Sequence, residues 1–242
     1  MKKFVLSMVT LASLAFADGN ITYKIDGKDY EAYYVNATKN APLVFMVHDW
    51  DGITDYEIKR ASMLKELGYS VFAVDLYGKG VRPTELADKK AMTKSLYDNR
   101  EEMRKRLNAG FEEAKKLGLN TSNSVGMGYC FGGSSILEMA RSGAELKAFI
   151  PFHGNLATPN GQDYKNTKGK IVVFHGSADT VVPFSEFADL AVELEKTGIN
   201  HEMITYSKAP HAFSVFGAKS YEEVADKKSW KRFTEVLEET LK

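Results

Sequence analysis

Ser124-Val125-Gly126-Met127-Gly128-Tyr129-Cys130-Phe131-Gly132-Gly133 is the stretch from which the fold of this chain can be read. The run from Ser124 to Tyr129 has the apolar and small-residue character of a buried strand, and Gly132 to Arg141 continues as a helix. Between them lies a glycine, one residue, a nucleophile, one residue and a glycine, with sulfur in place of the more usual oxygen. A strand turning this abruptly into a helix holds its central residue in a strained backbone conformation, and the positions two residues away must be small for strand and helix to approach. The Cys130 side chain is then presented at the strand tip. The first N–H groups of the helix aim at whatever it attacks, which favours a thiolate and later an oxyanion.

Cys130 is the only cysteine in the chain, and a lone cysteine is commonly a small buried hydrophobe. Two further segments change that reading. Gly176-Ser177-Ala178-Asp179 follows the apolar run Lys170 to His175, and Ala209-Pro210-His211-Ala212-Phe213 follows the alternating run His201 to Tyr206. An acid and a histidine thus each lie just past the C-terminal end of a predicted strand. The chain order is nucleophile, acid, base, as in the α/β-hydrolase triad.

Outward from these segments, strands alternate with helices. Ile21 to Val35 reads as a hairpin around Asp26-Gly27, and Pro42 to Val47 as a strand covered on both faces. Thr54-Asp55-Tyr56-Glu57 is a capping box opening a helix that Gly68 ends. Tyr69 to Leu76 is the next strand, and a long helical region, broken once, runs to about Leu117. Lys147 to Phe152 is a strand, Phe184 to Lys196 a helix, and Tyr221 to Leu241 a terminal amphipathic helix. This pattern predicts an α/β fold with a mostly parallel central sheet and helices on both faces, whose ligand site lies at the carboxyl ends of the strands.

The chain has 242 residues, 44% hydrophobic and 26% charged, an ordinary composition for a globular protein with one large core. Its 32 basic and 32 acidic residues cancel, and no basic stripe or low-complexity segment occurs, so nucleic acid is not an expected partner. At the N-terminus, Lys2-Lys3 precede an apolar run from Phe4 to Leu14, and Ala15-Phe16-Ala17 places small residues where a signal peptidase reads them. Residues 1–17 are therefore expected to be a signal peptide, and 18–242 a single mature domain that is periplasmic or secreted. The apolar run is too short to span a bilayer, so no stable membrane insertion is expected after cleavage. A monomer or weak homo-oligomer is expected.

The chain resembles the dienelactone hydrolase family of α/β-hydrolases, from about Leu43 to about Phe216. The resemblance is carried by Val47-His48-Asp49-Trp50-Asp51-Gly52, by Val74-Asp75-Leu76-Tyr77-Gly78, by the cysteine elbow, and by the loops of Asp179 and His211. It implies an α/β-hydrolase fold and hydrolysis of a small carboxylic ester, lactone or thioester through an acyl-enzyme. It also implies that Cys130 is the nucleophile, His211 the base and Asp179 its orienting partner. Family members carry a carboxylate, typically Glu, in the loop after the first core strand. Asp49 stands at the matching position with a shorter arm.

Other residues are expected at lower rank. Phe131 and the loop of Asp49 and Trp50 would supply the oxyanion-binding N–H groups. Tyr77, Lys79 and Arg82 follow a core strand on the triad edge, and the two cations are candidates for a substrate carboxylate. His48 and His153 are candidates to line the pocket, Trp50 and Phe213 to wall it, and His201 is expected at the surface. His175 is expected to bond only backbone. No pair of His, or of His and carboxylate, shows metal-ligand spacing on a helix, and a lone cysteine builds no thiolate zinc site, so neither metal nor other cofactor is expected. The glycines from Gly126 to Gly133 lack dinucleotide-binding spacing. A second reading, in which Cys130 is a thiol sensor on a hydrolase scaffold, is weakened by the lack of a resolving cysteine.

Overall fold

The structure, a computed structural model, describes residues 18–242; the expected signal peptide, residues 1–17, lies outside the described residues. β1 (Gly19–Ile25) and β2 (Lys28–Val35) form the expected hairpin. Asp26 and Gly27 join them with φ of 49° and 80°, the left-handed pair that matches the twist of two strands. β3 (Pro42–Val47) is buried at every residue after the first. α1 (Asp55–Glu66) opens with the capping box formed by Thr54 and Glu57. β4 (Ser70–Val74) follows. The long helical region breaks at Asn99 into α2 (Leu86–Asp98) and α3 (Arg100–Lys116), because the Asn99 side chain accepts the N–H of Glu102 and caps a new helix.

β5 (Asn120–Tyr129) begins four residues before Ser124, since Asn120 pairs with Pro42 across an irregularity in register. The chain then runs through α4 (Phe131–Arg141), β6 (Ala148–Phe152), β7 (Lys170–Gly176), α5 (Phe184–Thr197), β8 (His201–Tyr206) and α6 (Glu223–Leu241). Among the described residues, eight strands join one sheet in the order β1-β2-β4-β3-β5-β6-β7-β8, and those from β4 to β8 in that order are parallel.

Alternate residues of β3 explain why both faces are covered. Leu43, Phe45 and Val47 pack with Met103 and Leu107 of α3, Leu137 of α4 and Leu190 of α5. Val44 and Met46 face the other way, with Leu64 of α1 and Phe233 and Leu237 of α6. The chain leaves β3 for β4 on one side and returns to β5 on the other, so the strand order reverses between β3 and β5. A crevice at their carboxyl ends is the position where an open α/β sheet takes its ligand. The loop of Asp49 follows β3, and Cys130 follows β5.

Candidate active site

Cys130 has φ 49° and ψ −109°, a conformation costing a non-glycine residue about 1–3 kcal/mol. The flanking glycines make the turn possible. A Cβ on Gly128 would lie 2.3 Å from the carbonyl of Gly132, and one on Gly132 would lie 2.2 Å from the carbonyl oxygen of Val47. The Cys130 N–H donates to Phe152 O at 2.9 Å, tying the elbow to β6. The thiol is half-buried at the head of α4, with the Phe131 N–H directed at the sulfur.

His211 Nε2 lies 3.1 Å from Cys130 Sγ, and His211 Nδ1 lies 2.8 Å from Asp179 Oδ2. The other Asp179 oxygen accepts the N–H groups of Val181 and Val182, each at 2.8 Å. Burial opposes ionisation of Asp179, but the His211 hydrogen bond and these amides outweigh it and hold the carboxyl below its usual value. A carboxylate accepting from Nδ1–H leaves the Nε2 lone pair facing the thiol, the tautomer a general base requires. His175 Nε2 donates to Val182 O at 2.9 Å and steadies the acid's loop.

On the other side of the sulfur, the buried Asp49 carboxyl lies beside the thiol, so the aspartate arm does reach. Burial, then the charge of Asp51, lifts Asp49 to about 6. Burial, then the charge of Asp49, pushes the Cys130 thiol well above its ordinary value. The resting sulfur is therefore a protonated thiol between a carboxyl and an imidazole.

Of the expected oxyanion donors, Phe131 N–H meets the sulfur. The loop amides are already engaged: Trp50 N–H donates to Asp49 Oδ1 at 2.5 Å, and Asp49 N–H to Glu57 Oε1 at 3.2 Å. Glu57, expected only to close a helix cap, is fully buried and also takes the N–H and hydroxyl of Thr54, both at 2.8 Å. Burial pushes its carboxyl up to about 7.

Several other expectations are corrected. Lys79 extends to the hairpin, donating to Thr22 Oγ1 at 2.9 Å, and Arg82 gives its N–H groups to the carbonyls of Ile53 and Val81, each at 2.7 Å. Both cations are bonded to the protein itself, and each also faces a carboxylate, Lys79 that of Glu31 at 3.7 Å and Arg82 that of Asp75 at 3.7 Å. His48 is buried and joins β3 to the strand beside it: Nδ1 donates to Asp49 O at 2.5 Å and Nε2 accepts the Leu76 N–H at 3.1 Å. Tyr77 is buried too, its hydroxyl donating to Trp50 O at 3.1 Å, so it supports the loop from behind. Phe213 is core, packed on Tyr206 and His153, and does not wall a pocket. Trp50 remains half-buried, with Lys89 over its ring. His201 is half-buried, Nδ1 donating to Ile199 O at 2.7 Å.

His153 does reach the site, its ring edge-on to that of His211 with centroids 5.4 Å apart. Reading the sequence did not single out Tyr97, whose ring packs on Phe131 at 5.5 Å and whose hydroxyl donates to Ser134 Oγ at 3.1 Å. A tyrosine late in an amphipathic helix carries no local signal of that placement.

Known proteins resemble this chain in sequence and in fold. "Protein usf" of Aquifex pyrophilus is 25% identical over 203 residues, covering 80% of this chain and 85% of that one. A protein of Aquifex aeolicus (strain VF5) named "Putative carboxymethylenebutenolidase" is 26% identical over 199 residues, again with 80% and 85% covered. The crystal structure of a dienelactone hydrolase-like promiscuous phosphotriesterase from metagenomic libraries superposes with a TM-score of 0.86 at 23% identity, covering 93% of this chain and 99% of that one. That likeness gives the fold, the α/β-hydrolase arrangement. Residues 30–241 match the dienelactone hydrolase family, a span that holds the elbow and both triad loops. With the family matched over most of its length, this chain belongs to the dienelactone hydrolase family and so to the carboxylic ester hydrolases.

Proposed function

We propose that this enzyme cleaves a small carboxylic ester, lactone or thioester through an acyl-enzyme on Cys130. The observation that supports this most directly is the unbroken contact from Cys130 Sγ to His211 Nε2 at 3.1 Å and from His211 Nδ1 to Asp179 at 2.8 Å. His211 takes the thiol proton, and the sulfur forms a bond to the carbonyl carbon. The resulting oxyanion takes the Phe131 N–H and, once the Asp49 carboxyl moves aside, the Trp50 N–H. Collapse breaks the bond to the leaving oxygen or sulfur, which receives the proton from His211. Water, deprotonated by His211, then attacks the thioester, releasing the acid and restoring the thiol. With a lactone, both products leave as one hydroxy acid.

The test is a panel of short acyl esters, simple lactones and thioesters, assayed before and after alkylation of the only cysteine. Hydrolysis that disappears on alkylation, with the acyl-enzyme trapped at Cys130 by mass spectrometry, supports the reading. Hydrolysis that survives complete alkylation overturns it. We also propose that residues 1–17 direct export and are removed, so that the enzyme works in the periplasm or outside the cell.

A further inference from the structure

The loop that carries His211 has neither helix nor strand between Tyr206 and Glu223, and left-handed non-glycine residues, Lys208 with φ 62° and Ala212 with φ 59°, bracket the histidine. Such a backbone keeps its shape only where its surroundings fix it. Before His211, Lys208 N–H donates to Ser177 Oγ at 3.0 Å, tying the loop to that of Asp179. After His211, the ties gather on Ser214, which is fully buried. Its hydroxyl lies 2.9 Å from His153 Nε2 and 3.1 Å from the hydroxyl of Tyr56, and its carbonyl accepts Arg60 Nη2–H at 2.8 Å.

Arg60 has only donors to give. It is 1% exposed, ion-paired to Asp226 of α6, and its Nε–H reaches the Tyr56 oxygen at 3.3 Å. One assignment sends the Tyr56 proton to Ser214 and the Ser214 proton to His153 Nε2, with His153 Nδ1 left buried without a partner. Burial holds His153 well below the ordinary histidine value, so it stays the neutral acceptor this assignment needs, packed edge-on against His211. Tyr56 and Arg60 lie on the turn of α1 that also carries Glu57, the acceptor of the Asp49 amide. One helical turn thus holds the loop on the base side of Cys130 and the loop on its carboxylate side.

We propose that Tyr56 and Ser214 are positioning residues: their paired hydroxyls fix the His211 loop to α1, and with it the distance from His211 Nε2 to the thiol. The proposal rests on the catalytic reading above, and its test separates the two. Tyr56→Phe and Ser214→Ala each remove one oxygen and little volume, so the fold is retained. The first measurement is the pH midpoint of iodoacetamide alkylation of Cys130, whose sulfur is faced by Asp49, His211, Asp179 and the Phe131 N–H. A displaced His211 no longer takes the thiol proton to form an imidazolium–thiolate pair, and the midpoint rises by about one pH unit in either variant. The second is turnover of the best ester: kcat falls about tenfold with KM nearly unchanged, since a misplaced base weakens the transition state and not ground-state binding. The double variant is no worse than the worse single one, because both break the same link. Ser214→Thr, which keeps the hydroxyl, restores both readouts. A midpoint and kcat that stay at wild-type values while only Tm falls would overturn the proposal, as would losses that multiply in the double variant. If the wild type cleaves no ester, the catalytic reading fails, and the alkylation midpoint still decides the positioning role.

Discussion

Asp49 Oδ1 accepts the N–H of Trp50 at 2.5 Å while the same carboxyl lies beside the Cys130 thiol, so one side chain engages the Trp50 amide and its charge favours the protonated thiol. In the proposed mechanism these are the two points where negative charge develops. Asn at position 49 keeps an oxygen for the Trp50 amide and removes the charge. Because a neighbouring carboxylate raises a thiol pKa, neutralising it lowers that pKa and increases the thiolate present near pH 7.5. Asp49→Asn is expected to be alkylated by iodoacetamide about tenfold faster than wild type at that pH. An unchanged or slower rate would show that the carboxylate does not control the thiol.

Removing either partner of the 3.1 Å Cys130–His211 contact is expected to be equally damaging. Cys130→Ala and His211→Ala should each lower kcat/KM on the best ester by about a thousandfold or more, and the double variant should lose little beyond either single one. Asp179→Asn is expected to be milder. Losses that multiply in the double variant would mean that the two side chains act separately. Circular dichroism and Tm of Cys130→Ala should match wild type, since the deleted atom sits at a strand tip.

The elbow itself can be probed through Gly132. Its added Cβ would stand 2.2 Å from Val47 O and 2.6 Å from His48 O, both backbone atoms that cannot rotate away. Gly132→Ala is therefore expected to cost about 3 kcal/mol by urea unfolding and to displace Cys130 enough to remove hydrolysis. A variant of wild-type stability would mean that α4 and β3 are less closely apposed than their backbone positions imply.

Export makes a separate prediction. Expressed with its own leader in a bacterial host, the protein should be recovered from the periplasmic fraction with Asp18 as its first residue, as intact-mass measurement would show. A full-length cytosolic chain would remove the export proposal and leave the chemistry as proposed.

What could be read from the sequence follows from how local each cause is. Gly128 is dictated by backbone contacts within the turn it flanks, Thr54 and Glu57 by the first turn of their own helix, and Asp26-Gly27 by a two-residue hairpin, so each leaves a visible pattern. The destinations of Lys79 and Arg82 were not legible, because long side chains choose partners in tertiary space: Lys79 finds Thr22, 57 residues away. Phe213 was misread for the same reason, since an aromatic residue beside the His211 loop suits a wall and a core equally well. Tyr56 and Ser214 are 158 residues apart, and nothing near either one announces the other.

Glu57 was read as a helix cap and is also a buried carboxyl under the Asp49 loop, which gives stability a measurable pH dependence. Burial raises its pKa from 4.5 to about 7, so the folded state favours the neutral acid more than the unfolded chain does. Stability from that preference is fully present below the unfolded value and is lost as pH rises through about 7. Asp49, lifted to about 6, acts in the same direction and remains in a Glu57 variant. Between pH 5 and pH 8 the wild type is therefore expected to lose about 2 kcal/mol more unfolding free energy than Glu57→Gln, measured by urea titration of both proteins. Gln keeps a carbonyl oxygen for the Asp49 amide and gives up the Thr54 N–H bond at every pH, so the change between the two pH values still reports the Glu57 proton. Equal losses across that range would mean that Glu57 ionises as it does in the unfolded chain, with the donors from Asp49 and Thr54 fully offsetting its burial.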